Sequence, residues 1–186
     1  MKKISLITIS TFLATQIFSL AVFADTAYLG GGCFWGVQDL IRKQPGVTKT
    51  EVGYMGGEEK NASYELVKSG KTEYAETVKI EFDSKKITYE KLLLYFFKIH
   101  DPTTMNQQGN DKGRQYRSVI FYTTDKQRTT AQDMIVRVNK TKAWKKPIVT
   151  EVVPSSKWTK AEDYHQDYLV KNPAGYTCHF ERKIEL

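Results

Sequence analysis

Apolar residues alternate with polar ones in some stretches of the chain and recur at helical spacing in others, and these two periods divide it into strands and helices. Thr26-Ala27-Tyr28-Leu29 reads as a short strand. Phe34, Val37, Leu40 and Ile41 then follow helical spacing until Pro45-Gly46 stops them. Val47 to Tyr54 is strand-like and ends at the turn signal Gly56-Gly57, and Ser63 to Lys68 predicts one short helical turn. From Thr77 to Phe82, Val78, Ile80 and Phe82 alternate with Lys79 and Glu81, as in a strand with one buried face. Thr88 opens the clearest helix, with Leu92, Leu93, Tyr95, Phe96 and Ile99 on its apolar face and Asp101-Pro102 at its end. A polar loop, Thr103 to Gln115, leads into a strand from Tyr116 to Tyr122, and Asp125 begins an amphipathic helix running to about Trp144. Ile148 to Val153 is a further strand, and Lys160 to Val170 predicts a last helix before Asn172-Pro173. This alternation predicts an α/β or α+β layered domain with helices covering one sheet, and it leaves the strand order open.

Composition adds little to that picture except at the N-terminus. The 186 residues suit one domain with a sizeable core, and 28 basic against 21 acidic side chains give a net charge of +7, spread along the chain rather than clustered. Lys2-Lys3 precede an uncharged run from Ile4 to Ala24 that ends Ala21-Val22-Phe23-Ala24, which predicts a signal peptide over residues 1–24 with cleavage before Asp25. An uncleaved membrane anchor is the alternative, since the run is long enough to span a bilayer. Either way residues 25–186 are expected to form a single exported domain, periplasmic or secreted, and export argues against nucleic acid as a partner.

Candidate chemistry centres on Leu29-Gly30-Gly31-Gly32-Cys33-Phe34-Trp35-Gly36. Glycines permit a sharp turn and close approach to a ligand, and a cysteine in the first turn of a helix faces free N–H groups that favour its thiolate. Cys33 is thereby a candidate reactive thiol; packing as a small buried hydrophobe is the competing reading. The other cysteine, Cys178, lies in a polar C-terminal segment, so a structural disulfide between the two is also open in an exported protein. The glycine-flanked loop Gly109 to Tyr116 and the carboxylate of Glu76, at the mouth of a strand, are further candidates. His100, His165 and His179 show no metal-ligand spacing, and His165 reads as a surface or packing residue. Two other function classes fit these residues. A cysteine hydrolase would pair Cys33 with His165 or His179 and an orienting Asn or Asp, and a non-catalytic envelope protein would be stapled by Cys33 and Cys178.

Gly32-Cys33-Phe34-Trp35-Gly36 resembles the signature of the A-type peptide-methionine sulfoxide reductases. So do Gly53-Tyr54-Met55-Gly56-Gly57, Tyr64, Ala75-Glu76, His100-Asp101-Pro102, Gly109-Asn110-Asp111, Gln115-Tyr116-Arg117-Ser118, Ala161 to Gln166 and Asn172 to Tyr176, in the family's order. The resemblance implies a ferredoxin-like α+β two-layer sandwich with additional helices and a long C-terminal segment. It implies reduction of the S-epimer of methionine sulfoxide, free or in proteins, without a prosthetic cofactor or metal. Cys33 would be the nucleophile, Glu76 the general acid, and Tyr64 and Tyr116 the groups that hydrogen-bond the sulfoxide oxygen. Phe34 and Trp35 would box the S-methyl group, with Asp111 and Tyr176 ordering the substrate site. Cys178 would condense with the Cys33 sulfenic acid to a disulfide, and an external thioredoxin-like dithiol would reset it. The expected state is a monomer that binds no nucleic acid and, once its leader is removed, no membrane. Three positions depart from the family: Gln38 where Glu is usual, Tyr74 where His is common, and Thr177 inserted between Tyr176 and Cys178.

Overall fold

The computed structural model describes residues 25–58 and 62–186; residues 1–24, read above as a signal peptide or membrane anchor, lie outside the described residues. Four strands form the centre of a six-stranded sheet: β1 (Asp25–Gly31), β2 (Val47–Met55), β3 (Ala75–Phe82) and β6 (Ser118–Tyr122). Their spatial order is β6-β1-β3-β2, every neighbouring pair antiparallel. With α1 (Phe34–Ile41) between β1 and β2, and α3 (Tyr89–Ile99) between β3 and β6, this is the split β-α-β pattern of a ferredoxin-like sandwich. Two additions extend the sheet. After α4 (Asp125–Thr141), β7 (Glu151–Pro154) lies parallel to β6, and β8 (Thr159–Lys160) borders β2 on the far edge.

The alternation seen in the sequence explains why one face carries the core. Ala27, Leu29, Val52, Val78, Ile80, Phe82 and Ile120 are buried in one cluster with Val37, Ile41, Leu92, Leu93, Phe96 and Phe97 of the helices. Full burial of each large side chain contributes ~1.5–3 kcal/mol. On the opposite face Lys49, Glu51, Lys79 and Glu81 form a ladder of ion pairs, while Met55, Ala75, Val119 and Phe121 make a smaller cluster with Trp158. Thr88 caps α3 by accepting from the Lys91 N–H, and Thr124 caps α4 by accepting from Gln127. Among the described residues no helix is long and apolar enough to cross a membrane.

Several boundaries move. The strand expected from Tyr116 begins at Ser118, after a 3₁₀ turn over Arg114–Tyr116, and α4 stops at Thr141 because Lys142 turns left-handed. The strand expected over 148–153 spans Glu151–Pro154, and the loop from Thr103 contains a small hairpin, β4 (Gln107–Gln108) with β5 (Asp111–Lys112). The last helix, expected over 160–170, is corrected most: only α5 (Tyr168–Lys171) is helical. The Ala161 N–H donates to Val52 O, and the Gln166 amide bonds both backbone groups of Val52, so the segment is stitched to the edge of β2. Asp167 turns left-handed before α5 starts.

Candidate active site

Topology gathers the site at one end of the sheet. β1 and β2 finish there while β3 and β6 begin there, as the pairings of Tyr54 with Glu76 and Gly31 with Ser118 require. Cys33 follows β1, Glu76 opens β3, Tyr116 precedes β6, Tyr64 begins α2 (Tyr64–Lys68) beyond β2, and Asp111 stands on the hairpin. A cleft of about 140 Å³ is lined by Cys33, Phe34, Trp35, Tyr64, Glu76, Asp111, Tyr116 and Tyr176. Eight of the nine residues singled out from the sequence thus meet in one cavity. The ninth, Cys178, stands beside it, its thiol donating to Asp111 Oδ2 at 3.3 Å while Tyr176 Oη donates to Asp111 Oδ1 at 3.1 Å.

Cys33 sits at the N-cap of α1, brought there by Gly32, whose φ of +100° is open to glycine alone without strain. The helix start was expected to depress its thiol. Instead burial, at 7% exposure, pushes the thiol well above the ordinary cysteine range, and the charge of an ionised Glu76 pushes the same way. The Trp35 backbone N–H pulls it down and does not prevail. The Phe34 N–H, a free donor at the start of α1, is taken by Glu76 Oε2 at 3.0 Å rather than by sulfur.

Glu76 is 3% exposed, and burial drives its carboxyl up to about 8, against the Phe34 N–H and assisted by the Asp111 charge. At neutral pH it is an acid holding its proton, so its charge does not then oppose ionisation of Cys33. Burial also raises the phenols of Tyr64 and Tyr116, with Glu76 second among the causes, so both remain O–H donors at neutral pH.

The aromatic wall is braced from behind by residues whose parts the sequence did not reveal. Trp35 stacks on Tyr168 at 3.8 Å and donates its Nε1–H to His165 Nδ1 at 3.0 Å. His165 is a packing residue, buried against Phe34, Tyr64 and Tyr164. Glu162 accepts from Tyr64 N and Tyr54 Oη, both at 2.9 Å, and so ties the start of α2 to β2. Of the family departures, Gln38 makes two local hydrogen bonds, to Thr50 O and from Asp167 N, while Tyr74 packs on Gly57 and does not line the cleft.

The two alternative readings lose their footing. Cys33 and Cys178 are free thiols, not a staple. The hydrogen bonds of His165 lead to Trp35 and those of His179 to Gly31 O and Cys178, so neither histidine is set as the base of a hydrolase acting through Cys33.

A family model described as Peptide methionine sulfoxide reductase matches residues 25–186. The protein named Peptide methionine sulfoxide reductase MsrA 1 from Mesorhizobium japonicum is 51% identical over 163 residues, 88% of this chain and 92% of its own. Among solved structures, Mxr1 from Saccharomyces cerevisiae in reduced form aligns with a TM-score of 0.82 at 36% identity, over 93% of this chain and 100% of that one. Mxr1 in complex with Trx2 aligns with a TM-score of 0.60 at 22% identity, over 92% and 99%, and there the likeness is one of fold. A match across the entire described domain, with half of the residues identical to a named relative, establishes that this chain belongs to the peptide methionine sulfoxide reductase family.

Proposed function

We propose that Cys33 is the nucleophile of this thiol-dependent methionine sulfoxide reductase, that Glu76 is its general acid, and that the substrate is the S-epimer, free or within a protein. The Cys33 sulfur attacks the sulfoxide sulfur as Glu76 protonates the sulfoxide oxygen, with Tyr64 and Tyr116 donating hydrogen bonds to that oxygen. Oxygen passes to Cys33 as a sulfenic acid, methionine departs, and the thiol proton replaces the one Glu76 gave up. Phe34 and Trp35 offer the S-methyl group an apolar wall, and Asp111 and Tyr176 line the same cleft. One observation carries this reading: a carboxyl pushed up to about 8 in the same cavity as a buried thiol. A thiol held protonated by burial needs its proton removed during attack, and an acid that has just discharged onto the substrate is the base that can take it.

In the second stage Cys178 attacks the sulfenic acid, forming a Cys33–Cys178 disulfide and water, and a thioredoxin-like dithiol reduces that disulfide by exchange. The placement of Cys178 beside Asp111, which itself lines the cavity, supports the first part; the second is supported by the 36% identity to reduced Mxr1, a protein also solved in complex with Trx2. The charge pattern of residues 1–24 supports export. Turnover with dithiothreitol on each purified sulfoxide epimer tests the assignment. The S-epimer should be consumed and the R-epimer left; consumption of the R-epimer, or of neither, overturns it.

A further inference from the structure

The mechanism above leaves one buried titratable side chain beside a reacting sulfur without a part. His179 is buried, and its ring lies between the turn that carries Cys33 and the side chain of Cys178. Its Nε2 is 2.7 Å from Gly31 O. A carbonyl can only accept, so Nε2 carries the hydrogen and Nδ1 is left with a lone pair. That lone pair faces Cys178 Sγ at 3.5 Å. The pocket for the ring is built into α1: a Cβ on Gly36 would lie 2.5 Å from His179 Nδ1 and 2.5 Å from Thr177 Oγ1. The glycine after Trp35 thus serves to seat the tail, and the tautomer is set by a backbone carbonyl of β1.

We infer that His179 is the general base of the resolving step, taking the thiol proton of Cys178 through Nδ1 as Cys178 attacks the sulfenic sulfur of Cys33. This rests on the reading of Cys178 as the resolving thiol. The S–S bond forms and the S–O bond breaks, oxidising the Cys178 sulfur and reducing that of Cys33. The departing hydroxide takes the proton from the imidazolium and leaves as water. Gly31 O, which accepts from Nε2–H, steadies the imidazolium in the interval.

Such a base is needed because the Cys178 thiol does not ionise unaided near neutrality: burial and the hydrogen bond to Asp111 push it up to about 12. Asp111 is the other acceptor within reach, but its two oxygens hold Tyr176 and Cys178 in place. Asp111 thus holds the thiol at rest, and rotation of its single S–H from Asp111 Oδ2 toward His179 Nδ1 hands the proton to the imidazole. The ionisable and charged groups around His179 are Cys178, Asp111, Arg182 of the tail and His100 at the end of α3. Burial, with Arg182 adding to it, holds the ring below the ordinary histidine range, against Gly31 O and Asp111, so it is unprotonated and ready at neutral pH.

The test follows conversion of sulfenic acid to disulfide after a single methionine-producing turnover, by rapid quench and mass spectrometry, across pH. In the wild type the rate should be flat above neutrality and fall on the acid side of neutrality as the ring protonates. A rate climbing tenfold per unit from pH 8 to 10 would show thiolate formation without a base and overturn the proposal. His179→Gln, whose amide can still donate to Gly31 O, should slow this step by ~10²-fold or more and abolish the acid limb. His179→Ala should recover speed on addition of imidazole. A His179→Gln rate within a few-fold of wild type would make the ring an anchor only, and the proposal would fall. The underlying reading fails separately: if the wild type forms no Cys33–Cys178 disulfide at all, Cys178 is not the resolving thiol.

Discussion

Replacing Glu76 with glutamine should make the protein a poorer enzyme and, at alkaline pH, a more stable one. The carboxyl is fully buried and raised from 4.5 to about 8. At ~1.36 kcal/mol per pH unit that is about 5 kcal/mol between its two protonation states, an upper bound for a single buried group. The sign follows from proton binding. Between pH 4.5 and 8 the folded protein keeps a proton that the unfolded chain has released, so the stability this group contributes is complete below 4.5. It declines across that window and is gone above 8. Glutamine is isosteric, retains an oxygen for the Phe34 N–H and never ionises. Urea denaturation at pH 5, 7 and 9 should show the variant gaining on the wild type by several kcal/mol as pH rises. At pH 7 an acid at about 8 is roughly nine-tenths protonated, whereas one at 4.5 would be protonated about once in three hundred molecules. Methionine formation should accordingly fall by ~10²–10⁴ in the variant, and in the wild type it should decline tenfold per unit above pH 8. Stability curves that stay parallel with pH, or an activity loss of only a few-fold, would refute the account of Glu76.

Three other substitutions probe the surroundings. Gly36→Ala places a methyl group where His179 Nδ1 and Thr177 Oγ1 lie, so the tail should be displaced and sulfenic acid should persist; trapping it with dimedone after one turnover measures this. Glu162→Ala strands the fully buried Tyr54 hydroxyl and frees the Tyr64 N–H, and should cost ~1–3 kcal/mol in urea denaturation along with a lower kcat/KM. Cys178→Ser should still release methionine once per chain, but thioredoxin-driven turnover should fall steeply while dithiothreitol, small enough to reach Cys33, sustains some. Unchanged thioredoxin turnover would make this a one-cysteine enzyme.

Elements whose burial follows a local period were legible in the sequence. Val78, Ile80 and Phe82 alternate because one face of β3 meets the helices, and α3 shows its buried stripe plainly. Residues 160–170 were misread because what shapes them is remote: Glu162 and Gln166 bond groups around positions 52–64, and no window of sequence contains both partners. The same limit hid Glu162, which looks like a solvated charge until Tyr54 is placed beneath it. It also reversed the expectation for Cys33. Helix-start donors are a local feature, but burial by distant strands is larger, and the nearest N–H turns to Glu76. The site residues were recognisable through the motif series rather than through periodicity, since Cys33 after β1, Glu76 on β3 and the α3–β6 connection that carries both Asp111 and Tyr116 are three separate stretches that only the sheet brings together.

The central claim is that Cys33 takes the oxygen itself, with Cys178 as the partner that closes the cycle. It is tested most directly by mixing the reduced protein with excess S-epimer and no reductant, then counting methionine and mapping the cysteines by mass spectrometry. The account predicts one methionine per chain, a Cys33–Cys178 disulfide, and no methionine from Cys33→Ser. Methionine from Cys33→Ser, or none from the wild type, would contradict it.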